Sequence, residues 1–429
     1  MKDRENSTLK KALLAAFIGT VIEWYDYFLY GTAAALVFGK LFFPTIEPTA
    51  GTMAAFATYA VGFVARPFGG MFFGFIGDKY GRKITLVWTL GLMGGSTFLI
   101  GCLPTYGSVG VLAPVLLVLL RCIQGIALGG EWGGAVLMAV EHGHKGRRGF
   151  YGSLAQAGVP VGIILGNGIF MLSSTLSEQA FLSWGWRIPF LIGVILTIVG
   201  FVIRTHVEET PLFTELKRQN LPEKNPILSV FRSSKKNLLL VVGTRMAENA
   251  SFYIFTVFIL VYATKNLGLS KTEILNGIIV ASFFQFFAII FFGALSDRIG
   301  RRAVYLFGAT LLTIGIFPFF AALNTKSIEL IWLAVIIALS CSHSAMYAPQ
   351  AAFFSELFGT HVRYSGASFG YQIAAPLAGG VAPIIATYLL AKENGEPWFV
   401  ATYVAIMGII TIVSVLLAKE TSKLDISRE

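Results

Sequence analysis

The sequence predicts an all-α integral membrane protein with twelve transmembrane helices arranged as two six-helix bundles. Of its 429 residues, 55% are hydrophobic and 13% are charged, whereas soluble domains carry roughly a quarter charged residues. The mean hydropathy is +0.71. Runs of about 18 or more apolar residues recur along the chain, and each can cross roughly 30 Å of hydrocarbon as a helix. A soluble globular protein is therefore excluded.

A short polar turn occurs twice, and its return at half the chain length predicts the two-bundle organisation. Residues 74–83 and 293–302 share the pattern Gly-x-x-x-Asp-(Lys/Arg)-x-Gly-Arg between long apolar runs. This is typical of a turn that joins two membrane helices in a duplicated bundle. We predict a charge–dipole gate, because each carboxylate stands just before a helix N-terminus, where negative charge is favoured. The predicted gate residues are Gly74, Asp78, Gly81, Arg82, Gly293, Asp297, Gly300 and Arg301.

Twelve apolar spans follow from this pattern, and the basic residues predict their orientation. The spans cover residues 12–38, 50–76, 84–103, 110–138, 149–172, 186–204, 237–263, 273–295, 303–323, 329–354, 366–390 and 397–418. We predict an N-terminal bundle (1–204), a cytoplasmic linker (205–236) and a C-terminal bundle (237–429). A cytoplasmic N-terminus places about 24 Lys and Arg residues in cytoplasmic segments, as the positive-inside rule requires. We therefore expect a multi-pass protein of a bacterial inner membrane with both termini in the cytoplasm.

The net charge of +10 comes from basic loops beside apolar spans, so we expect no nucleic-acid partner. The cysteines Cys102, Cys122 and Cys341 lie in or beside apolar runs, where a thiol usually acts as a small hydrophobe. We expect no disulfide, no metal site and no cofactor. The sequence contains no nucleophile–base pair, nucleotide-binding loop or metal cluster, which argues against an enzyme.

Two acidic residues in the first span are candidate proton carriers. Glu23 and Asp26 stand three residues apart, which places both on one helical face, with Tyr27 and Tyr30 one turn further on. Ionisable groups at bilayer depth are costly and persist mainly when they are paired or hydrated. Two neighbouring acids away from bulk water cannot both ionise cheaply, which suits reversible proton binding. The alternative is that they pair with arginines and hold helices together.

The second and fourth spans each contain an arginine. Arg66 precedes Pro67 and a Gly-Gly pair, near a bend where neighbouring helices approach closely, and both an ion pair and a substrate role are open. Arg121 is a candidate anion contact, because a guanidinium binds carboxylates bidentately, or else a counter-charge to the acids. Gln124 and Glu131 share a face seven residues apart. We interpret them as a substrate contact and a proton carrier.

The seventh span carries a polar stripe on an otherwise apolar helix. Arg245, Glu248, Asn249 and Phe252 follow the spacing i, i+3, i+4 and i+7, so the stripe must face the bundle interior. Arg245 and Asn249 suit an organic anion with hydroxyl or carboxylate groups. Glu248 is either a second proton site or the partner of Arg245 in an internal salt bridge.

The tenth span also places polar side chains on one face, namely His343, Tyr347 and Gln350, while Gln285 stands among phenylalanines in the eighth. Histidine titrates near physiological pH, but a hydrogen-bonded histidine packed between helices is the favoured interpretation of His343. The predicted substrate contacts are Arg121, Arg245, Asn249, Gln124, Tyr30 and Tyr347. The predicted proton carriers are Glu23, Asp26, Glu131 and Glu248.

The duplicated turn in two six-span halves resembles the major facilitator superfamily, and the likeness covers nearly the whole chain. Arg121-x-x-Gln124-Gly125 resembles the fourth-helix motif of that superfamily. Five further segments are similar to its metabolite:proton symporter family. They are Glu23-Trp-Tyr-Asp26, Arg66-Pro-x-Gly-Gly70, Gly129-Gly-Glu131, Trp184-Gly-Trp-Arg-Ile-Pro-Phe190 and Glu208-Glu-Thr210. Residues 51–58, 130–134 and 364–367 most resemble the shikimate-transporter branch.

This resemblance implies the major facilitator fold and a proton-coupled secondary transporter that imports a small organic acid or hydroxylated carboxylate, shikimate-like or dicarboxylate-like, by alternating access. The implied partners are a small-molecule substrate, protons and the lipid bilayer, with the protein as a monomer. A proline- or betaine-type zwitterion symporter and a proton-driven exporter stay open as alternatives. Gly158-Val-Pro160 differs from the adjacent Gly-Pro of drug antiporters, and the short tail differs from the extended tails of osmolyte transporters.

Overall fold

The computed structural model describes residues 2–80, 82–132, 136, 139–140, 146–205, 234–358 and 363–424. Side chains are described for the same residues except 2–12, 74–75, 77–80, 82–84, 86, 205 and 363–365. Residues 206–233, which make up most of the predicted linker, fall outside this set. The domain boundaries predicted from the sequence therefore stay predictions.

Twelve long helices follow one another along the described chain, which confirms the predicted fold class. They are α1 (2–42), α2 (Pro48–Tyr80), α3 (Arg82–Cys102), α4 (Leu112–Gly129), α5 (Arg148–Ser173), α6 (Ile188–Thr205), α7 (Lys235–Asn266), α8 (Lys271–Ile299), α9 (Arg301–Asn324), α10 (Ile328–Glu356), α11 (363–392) and α12 (Trp398–Leu417). Short helical segments at Tyr106–Val109, Glu178–Ser183 and Gly185–Arg187 lie in the connections. Within the described residues, nine segments are individually long and apolar enough to span a membrane.

The helices separate apolar side chains on the outside from polar ones in the interior. In α8, Phe283, Phe287 and Phe291 are exposed on the outer surface, whereas Gln285 is fully buried. This is the arrangement that lipid requires, because a polar side chain facing hydrocarbon costs several kcal/mol unless it finds a partner. The polar residues predicted to face inward are buried, namely Glu23, Asp26, Arg66, Arg121, Gln124, Glu131, Arg245, Glu248, Asn249, His343, Tyr347 and Gln350.

Four of the described helices contain π turns. These turns are Ala34–Phe38 in α1, Ile254–Phe258 and Tyr262–Asn266 in α7, Ala338–His343 in α10, and Ala375–Gly380 in α11. A π turn inserts one extra residue and redirects the side chains around it, and such turns are frequent at functional sites. In α11 the turn begins beside Pro376, whose ring and missing N–H would disrupt a continuous α-helix.

Helices α2 and α4 pack backbone to backbone through glycines, as the Gly-Gly pair after Arg66 predicts. A Cβ atom added to Gly69 would lie 1.8 Å from the carbonyl oxygen of Ile126, and one added to Gly129 would lie 1.9 Å from that of Arg66. No side chain fits at either position. This close packing fixes the backbone of Arg66 against α4 and so aligns the two arginine-bearing helices.

The two bundles contact each other at three levels. We call the membrane side that carries the α2–α3 and α8–α9 connections the turn face, and the opposite side the far face. At the far face, the ammonium of Lys271 lies 4.2 Å from the ring centroid of Phe181. At mid-depth, the Phe28 ring of α1 meets Phe252 of α7 edge-on, with centroids 5.3 Å apart. At the turn face, polar groups of α8 hold α5, as described below.

Candidate functional site

Two arginines of the N-terminal bundle lie buried against the same tyrosine. The guanidinium carbons of Arg66 and Arg121 are each 4.4 Å from the ring centroid of Tyr27. Arg121 also lies 4.3 Å from the centroid of Tyr30 and 4.8 Å from that of Tyr59. These cation–π contacts stabilise each charge by about 0.5–2 kcal/mol, far less than the cost of burying a cation. The cation–π contacts therefore leave most of the cost of burying these two charges uncompensated.

Several N–H groups of these arginines are buried without a hydrogen-bond partner among the described residues. They are Nε and Nη2 of Arg66 and Nε and Nη2 of Arg121. Nη1 of Arg121 donates to Oε1 of Gln124 at 3.0 Å, and Nε2 of Gln124 donates to the Thr97 hydroxyl at 2.7 Å. Gln124, a predicted substrate contact, thus orients Arg121 in this structure.

Glycine 62 creates the space that Arg121 occupies. A Cβ atom at Gly62 would lie 2.5 Å from Nε of Arg121. The hydroxyl of Tyr30, a predicted substrate contact, forms a hydrogen bond with the hydroxyl of Thr58 at 2.6 Å. The ring of Tyr30 therefore supports Arg121 while its hydroxyl is already partnered.

The acids of α1 do not pair with these arginines. Within the described chain, neither Glu23 nor Asp26 has a salt-bridge partner within 4.0 Å, although Arg66 acts electrostatically on Glu23 and Arg121 on Asp26. Glu23 and Asp26 therefore do not form the structural ion pairs with Arg66 or Arg121 that were the predicted alternative. Both oxygens of Asp26 lack a hydrogen bond of good geometry in the described part. The nearby Thr97 hydroxyl donates to the carbonyl of Met93 instead.

Glu131 has a partner that was not expected from the sequence. One carboxylate oxygen is bonded by Nη2 of Arg204, near the end of α6, and both side chains are buried. The other oxygen has no partner among the described side chains. Glu131 also acts electrostatically on Glu23 and Asp26. The three acids of this bundle therefore share one electrostatic environment.

In the C-terminal bundle, Arg245 forms the internal salt bridge that was one of the two predicted alternatives. Its Nε lies 3.3 Å from Oε2 of Glu248, and its Nη1 donates to the carbonyl oxygen of Tyr371 at 2.6 Å. The same carboxylate oxygen of Glu248 accepts a hydrogen bond from Gln350 at 3.0 Å, and Gln350 also donates to the Tyr305 hydroxyl at 2.8 Å. The guanidinium of Arg245 therefore has more of its hydrogen bonds formed than the guanidiniums of Arg66 and Arg121.

His343 joins this network through its ring nitrogens. Nε2 lies 3.2 Å from Oε1 of Glu248, and Nδ1 lies 2.9 Å from the amide nitrogen of Gln285. The imidazole stacks on Phe252 with centroids 4.3 Å apart and on Tyr347 with centroids 5.3 Å apart. The predicted packing of His343 between helices is confirmed, with hydrogen bonds on both sides of the ring.

Tyrosine and tryptophan side chains connect the charged groups of the two bundles. The Tyr371 ring of α11 stacks on Trp132 at a centroid distance of 3.7 Å, and the guanidinium of Arg245 lies 3.3 Å from the Tyr371 centroid. Arg66 acts electrostatically on Tyr371, and Glu23 on Tyr347. The polar residues of both bundles therefore converge on a shared central region. Asn249 is also buried, with its amide nitrogen unpartnered in the described structure.

Three aromatic residues of this region were not predicted from the sequence. Tyr59 and Phe63 stand seven and three residues before Arg66, a spacing that places all three on one helical face, and this signal was available. Tyr253 follows Phe252 on α7, and its ring lies 5.1 Å from that of Phe63. Nothing in the sequence alone indicated that this tyrosine meets the other bundle.

At the turn face, the second copy of the duplicated turn bonds the opposite bundle. Oδ1 of Asp297 accepts from the backbone N–H of Gly149 at 2.8 Å, and Oδ2 accepts from that of Phe150 at 2.9 Å. Asp297 therefore caps the N-terminus of α5, not that of the following helix α9 as predicted. Gly293 approaches α5 so closely that a Cβ atom would lie 2.3 Å from the Ser153 hydroxyl.

The reason is that Glu420 occupies the N-terminus of α9. Its two oxygens accept from the backbone N–H groups of Arg301 and Arg302, each at 3.0 Å. Gly300 links the two helices with φ of +103°, a conformation that only glycine adopts without strain. Asp297 is thereby free to reach across to α5.

Arg301 ties these acids together. Its Nη1 lies 2.7 Å from Asp297, as predicted for this turn, and its Nη2 lies 3.2 Å from Glu356, which Arg148 of α5 also contacts at 3.3 Å. The second copy of the predicted gate is thus a network of hydrogen bonds and ion pairs that joins both bundles. In the first copy of the turn, the described set does not include Gly81 or the side-chain positions of Gly74, Asp78 and Arg82. The role predicted for these residues therefore stays a prediction.

Comparisons with known proteins place this architecture in a family. Residues 11–225 match the model described as Sugar (and other) transporter, and residues 242–426 match that of the Major Facilitator Superfamily. The shikimate transporter of Escherichia coli (strain K12) is 40% identical over 97% of this chain and 96% of its own length. The proline/betaine transporter of the same organism is 35% identical over 97% of this chain and 85% of its own length.

Solved structures show the same fold. The crystal structure of a D-xylose-proton symporter superposes with a TM-score of 0.75 at 16% identity, covering 96% of this chain and 98% of the other. The all-helical fold agrees with these matches. The chain is a multi-pass membrane transporter that belongs to the major facilitator superfamily and is similar to its shikimate-transporter branch.

Proposed function

We propose that this protein imports a small organic acid or hydroxylated carboxylate together with protons, by alternating access between its two bundles. The observation that carries the proposal is the pair of buried guanidiniums, Arg66 and Arg121, with unpartnered N–H groups among the tyrosine rings. A carboxylate satisfies such groups with charge-assisted hydrogen bonds, often two at once. The 40% identity to a shikimate transporter supports the same substrate class.

The remaining predicted contacts complete the proposed substrate site. In this proposal the substrate is held by Arg66 together with Arg121, Gln124, Tyr30, Arg245, Asn249 and Tyr347. The aromatic rings would pack against the carbon frame, and the polar groups of both bundles would bind its carboxylate and hydroxyl groups. Binding that engages both bundles at once favours closure of the site around the substrate.

For the proton, we favour Asp26 among the four proposed carriers. Its buried oxygens lack hydrogen-bond partners in the described part of the chain, whereas Glu131 pairs with Arg204 and Glu248 with Arg245. A proton on Asp26, and one on Glu23, would remove negative charge beside Arg121 and Arg66. The arginines would then attract the substrate carboxylate more strongly, which couples proton and anion binding.

We propose that the turn face is the cytoplasmic side, with both termini there, and that the Asp297 network holds it closed. The basic residues near the connections of that face support this orientation. Asp297, Gly300 and Arg301 act in the gate, Gly293 lets α8 and α5 meet, and the first copy of the turn has the matching role. Opening toward the cytoplasm would then require that the network at α5 break.

Transport by purified protein in liposomes tests this function. We expect an inwardly directed proton gradient to drive accumulation of labelled shikimate, and Asp26→Asn to abolish accumulation while substrate exchange continues. Glu178→Gln removes a carboxylate from an exposed pair with Lys40 and serves as the charge-matched control that leaves accumulation unchanged. Unaltered proton-driven accumulation by Asp26→Asn would reject the assignment of Asp26.

A zwitterion symporter is the second candidate, favoured by the 35% identity to a proline/betaine transporter. The arginines argue against it, because the ring faces that would bind a quaternary ammonium already hold guanidiniums. Competition of labelled uptake by unlabelled glycine betaine and shikimate distinguishes the two. Vesicles of known orientation distinguish import from export by the direction of movement under an imposed pH gradient.

A further inference from the structure

We propose that His343 is a proton-binding site that controls how strongly Arg245 attracts the substrate anion. The proposal rests on the proposed function, since it concerns coupling within the same central site. Its basis is the hydrogen-bonded chain Gln285–His343–Glu248–Arg245, in which every side chain is almost completely buried. No part of the proton pathway described above uses this histidine.

The hydrogen-bond partners of His343 fit a neutral ring. The Gln285 amide nitrogen donates to Nδ1 at 2.9 Å, so Nδ1 is an unprotonated acceptor and Nε2 carries the ring proton. Nε2 then donates to Oε1 of Glu248 at 3.2 Å. This tautomer follows from the partners on either side, because a neutral imidazole has one donor and one acceptor nitrogen.

The same site can accept a second proton with a small rearrangement. The oxygen of the Gln285 amide is buried without a partner among the described residues. Rotation of that amide by a half-turn places Oε1 where the nitrogen now lies, and the added proton on Nδ1 then donates to it. One hydrogen bond replaces another, and the imidazolium keeps its bond to Glu248.

Protonation changes the charge balance of Arg245. Glu248 now neutralises Arg245 at 3.3 Å while a neutral His343 contacts its other oxygen. Once His343 is an imidazolium, one carboxylate faces two cations, and the group of three carries a net positive charge. Arg245 and the unpartnered Nδ2 of Asn249 then attract the carboxylate of a substrate, so proton and anion favour each other.

Among the described residues, Glu248 is the charged group in direct contact with the ring of His343. From α7 it meets Glu248 and the Phe252 ring, and from α8 it meets Gln285. On its own helix it stacks on Tyr347. Beyond these, Tyr305 of α9 reaches the network through Gln350, Tyr371 of α11 lies against Arg245, and Glu23 of α1 acts electrostatically on Tyr347.

The first test measures the protonation of His343 directly, without a substrate. In protein labelled with 15N-histidine and reconstituted in lipid, the resonance lost in His343→Gln identifies this ring. Spectra are recorded between about pH 8 and 5, and we expect the imidazolium signal of His343 to grow as the pH is lowered. A His343 resonance that stays neutral over this range overturns the proposal. Gln285→Glu, which offers a carboxylate to Nδ1–H, should move the transition to higher pH.

The second test measures shikimate binding to the same samples. We expect the dissociation constant of the native protein to rise with pH, up to about tenfold per pH unit for one linked proton. His343→Gln should lower that slope and leave only the part linked to Asp26 and Glu23, whereas Cys341→Ser in the same π turn should keep the full slope. If the native protein binds shikimate but His343→Gln retains the full slope, this inference is wrong. If shikimate neither binds nor is taken up, the substrate assignment fails, and the resonance still decides the role of His343.

Discussion

Removal of the Asp297 carboxylate should release the turn-face contact between the two bundles. Asp297→Ala deletes the acceptors of two α5 backbone N–H groups, at 2.8 and 2.9 Å, and one ion pair at 2.7 Å. Arg301 keeps Glu356 as its second partner, so no cation is left uncompensated. The helix cap of α5 is therefore the main loss.

The size of the effect follows from this accounting. A capping side chain contributes typically about 1 kcal/mol, and up to about 2 kcal/mol when the cap is strong. Asp297 bonds two N–H groups with an ionised carboxylate, which places it at the upper end. A loss of about 2 kcal/mol increases the ratio of open to closed states roughly 30-fold. Asp297→Asn keeps one acceptor and should give about half the free-energy change.

The assay is the rate at which a thiol at the contact reacts with a maleimide. Ser153 is fully buried against Gly293, so Ser153→Cys in a background without the native cysteines reports opening of this face. We expect labelling about 30-fold faster with Asp297→Ala and unchanged with the exposed-pair control Glu178→Gln. Equal labelling rates in the parent and Asp297→Ala, at equal thermal stability, would refute the proposal that the Asp297 network holds the turn face closed.

Two further predictions concern stability. Gly129→Ala would place a Cβ atom 1.9 Å from the Arg66 carbonyl oxygen. We therefore expect the free energy of unfolding to fall by about 1–3 kcal/mol, with a lower Tm. Gly168→Ala is the control, because a Cβ atom there would have no atom within 4 Å, and it should not lower Tm. Partial burial opposes ionisation of Glu420, but the backbone N–H donors around it lower its pKa overall. The stabilisation is complete above the ordinary pKa of glutamate and is lost as pH falls through the lowered value. Glu420→Gln should therefore reduce Tm at pH 7 and approach the parent once the pH falls below the lowered pKa of Glu420; an equal deficit at both would contradict this.

The helices were predictable because the width of the hydrocarbon constrains each span. The last span was predicted at 397–418 and is observed at Trp398–Leu417. The first was predicted to end at residue 38, but the helix continues through a π turn to Phe42. A π turn depends on how a helix packs against its neighbours, and hydropathy carries no information about that.

The polar residues of the site were predictable one helix at a time, and their partners were not. Periodicity placed Glu23 with Asp26, and Arg245 with Glu248, on common faces. The pairing of Glu131 with Arg204, 73 positions along the chain, depends on how α4 and α6 meet. The same limit produced the error at Asp297, whose partner lies 148 positions away on α5. Sequence spacing reveals which side chains share a helix face but not which face lies opposite.

The two bundles repeat one turn but differ in the chemistry of their buried charges, and this difference orders the proposed steps. The N-terminal bundle holds two arginines with unpartnered N–H groups and two acids without ion pairs in the described residues. In the central region, the C-terminal bundle contributes Arg245, whose partner Glu248 is also bonded by His343 and Gln350. An anion entering the site gains most from the first bundle, because nothing there must be broken. In the mechanism that we propose, Arg245 binds the anion only when Glu248 is shared with a protonated His343, so the second bundle responds after the first has bound.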